Sequence, residues 1–300
     1  MRPYSPLAPR ARVALVAPSG PLKLPIDLDR AIENAEKLGW EAVVGAHAKS
    51  RHTYFAGTDE ERLADLNAAL QDDAVDGIWC LRGGYGAMRL LQNVDYDALR
   101  RRPKPVIGYS DITALHCAIG AQAGLATIHA PTARGRLSAF AERSLRAAAT
   151  RTADPCGPAP DARTLVSGRA KGRLVGGNLA LLAALHGTPY QPNYDGSILV
   201  LEDVNEAPYR IERMLLQLRL SGDLSGCAAI AFGSFTNTGE KDDSLGGTRP
   251  LAEVLEEAAR EAGVPTISGI PIGHISDQWS IPLGMNAELD ADAKRLTVTY

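Results

Sequence analysis

The sequence predicts an α/β protein whose first half is a parallel sheet covered by helices on both faces. Short apolar runs of strand length alternate with amphipathic helical stretches. The runs are continuously apolar, as parallel strands buried on two faces are. Glycine-rich or serine-bearing turns link strand to helix, where doubly wound folds place their ligands. A proline-rich break, Asp154-Pro155-Cys156-Gly157-Pro158-Ala159-Pro160-Asp161, then interrupts all periodicity. Three hundred residues suit two ordinary domains. The break divides the chain into an N-terminal α/β domain over 1–153 and a C-terminal domain over 163–300.

In order, Val13–Ala17 is a buried strand ending at Pro18-Ser19-Gly20. Asp27 opens a helix with Leu28, Ile32, Ala35 and Leu38 on one face, stopped by Gly39. Trp40–Val44 is the next strand. Thr58 and Glu61 form a capping box for a helix carrying Leu63, Leu66 and Leu70. Gly77–Leu81 is a strand, followed by Arg82-Gly83-Gly84-Tyr85-Gly86 and a helix around Leu90 and Leu91. That turn lacks the dinucleotide spacing and the P-loop lysine. Its glycines serve either as a tight turn or as backbone that approaches a ligand. Val106-Ile107 is a strand that enters a helix through Gly108-Tyr109-Ser110-Asp111. Leu125–Ala130 is a strand and Ala141–Arg151 a helix.

Beyond the break, Thr164–Val175 is polar and β-prone and leads into Gly176-Gly177-Asn178 and a helix from Leu179. Ser197–Leu201 is a strand running into Glu202-Asp203. Pro208–Leu220 and Pro250–Ala262 are helices; Cys227–Phe232 and Thr266–Ile272 are strands, the latter before Gly273-His274. Ala287–Asp290 and Arg295–Thr299 alternate like an exposed hairpin.

Composition excludes several function classes. The net charge is −3, and Arg100-Arg101-Arg102 is a helix end rather than a basic stripe, which argues against nucleic acid. Four scattered cysteines, without a C-x-x-C pair, predict neither a disulfide framework nor a zinc site. No run is long enough to span a membrane. Met1–Arg10 lacks the apolar core of a signal peptide, so the cytoplasm is the expected location.

Three polar residues stand at the ends of buried strands: Ser110, Glu202 and His274. A serine at a strand-to-helix corner has the placement of a nucleophile, with the Asp111 N–H aimed at the oxyanion its attack creates. The usual second glycine is absent, since Ile112 occupies that place, and a plain N-cap role for Ser110 fits the local sequence as well. Nucleophilic serine needs a base and a carboxylate that orients it. His129 rivals His274 as that base; His116, His186, His47 and His52 are weaker. Asp111 and Asp203 rival Glu202, but each adjoins a chosen residue and points elsewhere.

Five ordered blocks resemble the LD-carboxypeptidase family of muramoyl-tetrapeptide carboxypeptidases and microcin C immunity peptidases. They are Arg82–Gly86, Gly108–Thr113, Gly176–Leu179, Leu201–Leu215, and Gly273-His274 with Ile281–Gly284. The resemblance implies a flavodoxin-like or Rossmann-like N-terminal domain, a smaller β-rich C-terminal domain and assembly as a homodimer. It implies a Ser110-Glu202-His274 triad without metal or cofactor, and an oxyanion hole from the N–H groups of Asp111 and Gly84. The implied reaction removes the terminal D-alanine of murein tetrapeptide from meso-diaminopimelate. The alternatives are cleavage of a microcin-type peptide-nucleotide or aminoacyl-adenylate amide and, from another class, a non-catalytic α/β protein binding a small anion at Gly83-Gly84. The substrate's carboxylate needs a cation or N–H donors, for which Arg82 is a candidate beside Gly83 and Tyr109. Glu206, with Arg210, is a candidate for the zwitterionic end of diaminopimelate. Ile275–Ser280 departs from the family pattern and is expected to form part of the substrate wall.

Overall fold

The computed structural model describes residues 1–239 and 249–300. The first half builds β1 (Arg12–Val16), α1 (Ile26–Lys37), β2 (Glu41–Val44), α2 (Asp59–Gln71), β3 (Gly77–Cys80), α3 (Tyr96–Arg101), β4 (Val106–Gly108), α4 (Thr113–Ala123), β5 (Thr127–His129) and α5 (Ala139–Thr150). The five strands are parallel in the order β2-β1-β3-β4-β5, the flavodoxin-like arrangement, whose ligand crevice lies beyond the carboxyl ends of the strands. Strand alternation explains the two cores. Val13, Leu15, Trp79 and Ile107 pack with Ala35 of α1 and Leu145 of α5. Ala14, Val16, Ile78 and Val106 pack with Leu66 of α2 and Leu115 of α4. The stretch around Leu90 and Leu91 is a 3₁₀ helix, Ala87–Asn93.

The second half builds β6 (Gly157–Pro158), β7 (Arg163–Val166), β8 (Arg169–Asn178), α6 (Leu179–Leu185), β9 (Ile198–Val204), α7 (Pro208–Leu220), α8 (Asp223–Gly226), β10 (Ala229–Thr236), α9 (Leu251–Ala262), β11 (Thr266–Ser268), β12 (Ile281–Leu283), β13 (Asn286–Asp290) and β14 (Arg295–Thr299). Its eight-stranded sheet runs β6-β14-β13-β8-β9-β10-β11-β7. The centre, β8 to β11, is parallel and carries α6, α7 and α9, so this half also has α/β character.

The proline-rich break is tied into the second sheet, because Gly157-Pro158 pairs with β14 and Asp154 Oδ1 accepts from Val298 N at 3.2 Å. Two expectations change. The terminal hairpin is not exposed: β13 also pairs with β8, and Ala287, Leu289, Leu296 and Val298 are buried. The strand expected over Thr266–Ile272 stops at Ser268, and β12 crosses back to pair antiparallel with β5, Ile281 opposite His129. The first sheet therefore includes three residues from beyond the break. Among the described residues, no helix is long and apolar enough to cross a membrane.

Candidate active site

Ser110 follows β4 and adopts a left-handed backbone with φ 65°. Such a conformation is costly for a residue with a Cβ and persists only where the surroundings enforce it. The plain cap reading fails here. Tyr109 occupies the cap position of the 3₁₀ turn Ser110–Ile112, and no side chain caps that turn or α4. Among the described residues Ser110 Oγ has no hydrogen-bond partner, including His274. The corner is enforced from two sides. Asp111 is buried, and its Oδ2 accepts from Ser19 Oγ at 2.5 Å and from Ala87 N at 2.9 Å. Gly83 packs directly on Ser110: a Cβ there would lie 2.9 Å from Ser110 Cβ and 3.1 Å from its Oγ. Gly83 is thus a close-approach position as well as part of a turn.

Glu202 lies within β9, opposite Asn178 of β8, and is fully buried. His274 sits 2.8 Å from it, Nδ1 donating to Oε2. Glu202 Oε1 has no partner among the described residues. His274 remains partly open, and its ring lies 4.7 Å from that of Tyr109, the residue before Ser110. Burial, and next the Glu202 charge, push the Tyr109 phenol up. The chain from β11 to β12 explains this approach. It leaves the second sheet, passes through Gly273-His274 and enters the first sheet beside β5.

Asp203 points to the opposite face, as alternation along a strand requires. Its carboxylate accepts from Asn178 Nδ2, Ala180 N and Val204 N, at the start of α6. Burial nevertheless pushes its pKa up to about 6. Asp111 is committed to Ser19 and Ala87, so both rival carboxylates have other partners. The rival bases separate in the same way. His129 is buried, with neither ring nitrogen partnered among the described residues, and burial drives its pKa well down. His116 donates to Gly108 O at 2.8 Å and is pushed down to about 4 by burial. His47 faces Asp65 and His186 faces Asp223. Only His274, among the described histidines, combines a buried carboxylate partner with a place beside the Ser110 corner.

Arg82 is partly buried beside the glycine turn, and its Nη1 donates to Pro21 O at 2.6 Å. Glu206 faces Arg210 at 3.6 Å; no hydrogen bond or ion pair joins it to Ser110, Glu202 or His274. In the loop after His274, Ser276 and Asp277 are exposed, whereas Gln278, Trp279 and Ser280 are buried. Sequence reasoning missed Ser19 and Thr113. Thr113 Oγ1 accepts from Asn178 N at 3.0 Å, and a Cβ on Gly177 would lie 2.6 Å from that oxygen. The Gly-Gly-Asn block is therefore the joint where the second sheet meets the Ser110 helix. The block itself was the only signal in the sequence. Among the described residues no group of three or more His, Cys, Asp or Glu side chains is placed to hold a metal ion.

Comparison with known proteins decides the family. The LD-carboxypeptidase N-terminal domain matches residues 13–130, and the LD-carboxypeptidase C-terminal domain matches 171–289. The chain belongs to the LD-carboxypeptidase family. A putative carboxypeptidase of Streptomyces coelicolor is 42% identical, over 97% of this chain and 94% of that protein. The murein tetrapeptide carboxypeptidase of Pseudomonas aeruginosa is 37% identical, over 95% and 94%. Among solved structures, the microcin C7 self-immunity protein superposes with a TM-score of 0.87 at 26% identity, covering 99% of this chain and 98% of its own.

Proposed function

We propose that this LD-carboxypeptidase family member is a serine peptidase that removes the terminal D-alanine from murein tetrapeptide. The observation that carries the reading is the buried Glu202–His274 pair, 2.8 Å apart, held against the Ser110 corner through Tyr109. Glu202 fixes the imidazole with its proton on Nδ1, which leaves Nε2 free to take the Ser110 proton. Ser110 Oγ attacks the carbonyl carbon of the diaminopimelate–D-alanine amide. The oxyanion accepts from the N–H groups of Asp111 and Gly84. His274 then gives its proton to the departing amine, and water hydrolyses the acyl-enzyme. The higher identity to the murein enzyme than to the self-immunity protein favours the murein substrate. A cytoplasmic location and assembly with a second copy belong to the same proposal.

The test is mass spectrometry of murein tetrapeptide incubated with wild type and with Ser110→Ala. Wild type releases one alanine, and the variant is slower by about 10⁴-fold or more while its melting curve stays cooperative. Equal turnover by the two proteins overturns the assignment of Ser110.

A further inference from the structure

Four arginines gather around one carboxylate beside the Gly83–Gly84 turn. Asp27 is buried, and its Oδ2 accepts from the N–H groups of Lys23 and Leu24 at 3.0 and 3.1 Å. Arg30 reaches Oδ1 at 3.4 Å, and Arg134 reaches Oδ2 only at 3.7 Å. Arg82 and Arg51 have no carboxylate partner among the described residues; they donate to the neighbouring carbonyls of Pro21 and Leu22. One buried carboxylate thus pairs with two guanidinium groups, and two more, those of Arg82 and Arg51, lie in the same charged neighbourhood. Arg134 is 29% exposed, and its Nε is buried without a partner among the described residues.

This surplus of positive charge borders the proposed reaction centre. Ala130 N donates to Gly108 O and Ala133 N to Cys80 O, so the chain leading to Arg134 crosses the carboxyl ends of β4 and β3. The Arg82 guanidinium carbon lies 3.8 Å from where a Gly84 Cβ would stand, and Gly83 packs on Ser110. The electrostatic influence of Arg134 extends to both Arg82 and Tyr109.

We propose that Arg134, together with Arg82, receives the free carboxylate of the residue that leaves, and so restricts cleavage to a chain terminus. The inference rests on the carboxypeptidase reading above and adds the group that recognises the leaving residue. A partly desolvated guanidinium pairs strongly with a carboxylate. A substrate ending in an amide or continuing as a peptide leaves Arg134 with only its long contact to Asp27 and a buried Nε–H unsatisfied, which is how a polar site rejects a near-isostere.

The experiment compares kcat/KM for the tetrapeptide with a free C-terminal D-alanine and with D-alaninamide, using wild type, Arg134→Gln and Arg134→Lys. Calorimetric titration with D-alanine and D-alaninamide accompanies it. Wild type prefers the acid, and Arg134→Gln lowers the acid-to-amide ratio by about ten- to a hundredfold. Arg134→Lys keeps the charge and retains part of the ratio, which separates recognition from a folding defect. Calorimetry shows D-alanine binding weakened in Arg134→Gln. An unchanged ratio with unchanged D-alanine affinity in the variants overturns the proposal, as does a wild type that binds D-alanine no better than D-alaninamide. A wild type that discriminates D-alanine from its amide but leaves the tetrapeptide intact supports the carboxylate site and overturns the murein substrate.

Discussion

At the Ser110 corner the backbone does the positioning, whereas His274 is aligned by a side chain. Ser110 is held at φ 65° between the committed carboxylate of Asp111 and the missing side chain of Gly83. His274 lies on a crossing loop and takes its orientation from one hydrogen bond to the fully buried Glu202. The first region is therefore sensitive to volume, and the second to charge and hydrogen-bonding pattern. The contrast teaches why the two halves tolerate different changes. A close-packed corner has no room to relax, while an imidazole can rotate but loses its tautomer once its carboxylate is gone.

The largest effect should come from breaking the charged side. Glu202→Gln keeps the shape but removes the anion that stabilises protonated His274, and is expected to lower kcat by about 10³-fold or more. Steady-state kinetics on the tetrapeptide measures this, and a loss below about tenfold would show that the pair does not serve the reaction. Breaking the packed side should cost less. Gly83→Ala places a methyl 2.9 Å from Ser110 Cβ and is expected to reduce kcat by about a hundredfold through displacement of the proposed nucleophile. Comparison with Gly83→Ser in the same assay separates volume from polarity, since the two should be similarly impaired.

The smallest effect sharpens the contrast within β9. Asp203, next to Glu202, is committed to Asn178 and the start of α6, so its role is structural. Burial raises its folded-state pKa to about 6, above the ordinary value of 3.8. Between those values the native state holds a proton that the unfolded chain has released. Stability should therefore fall as pH rises from about 4 to about 6, by on the order of 2–3 kcal/mol. Urea unfolding at several pH values checks this: Asp203→Asn should flatten that slope. A slope identical to wild type would mean that other groups set it.

Much of the first sheet was legible because its strands are continuously apolar and its helices carry clear faces and caps. The Thr58–Glu61 capping box is present as expected, and α7 spans Pro208–Leu220 as its periodicity indicates. Ser110, Glu202 and His274 stood out because each follows an apolar run in the sequence, although Glu202 lies within β9 rather than at its end and His274 on the loop beyond β11. Less was legible where pairing is long-range. The short β12 gives no periodic signal, and the burial of the hairpin's inner face depends on β8, more than a hundred residues away in the chain. The role proposed for Arg134 was hidden because a loop arginine looks solvated until Asp27 and Arg82 are brought beside it.

By itself the sequence determined the α/β alternation, the strand-to-helix turn at Ser110 and the chemical types available there, because local propensity and hydrophobic period act within a few residues. The tertiary structure alone decided that Asp203 turns away while Glu202 meets His274, and that the loop bearing His274 returns to the first sheet. Strand alternation fixes a side chain's face only once the register is set, and register arises from pairing between distant segments.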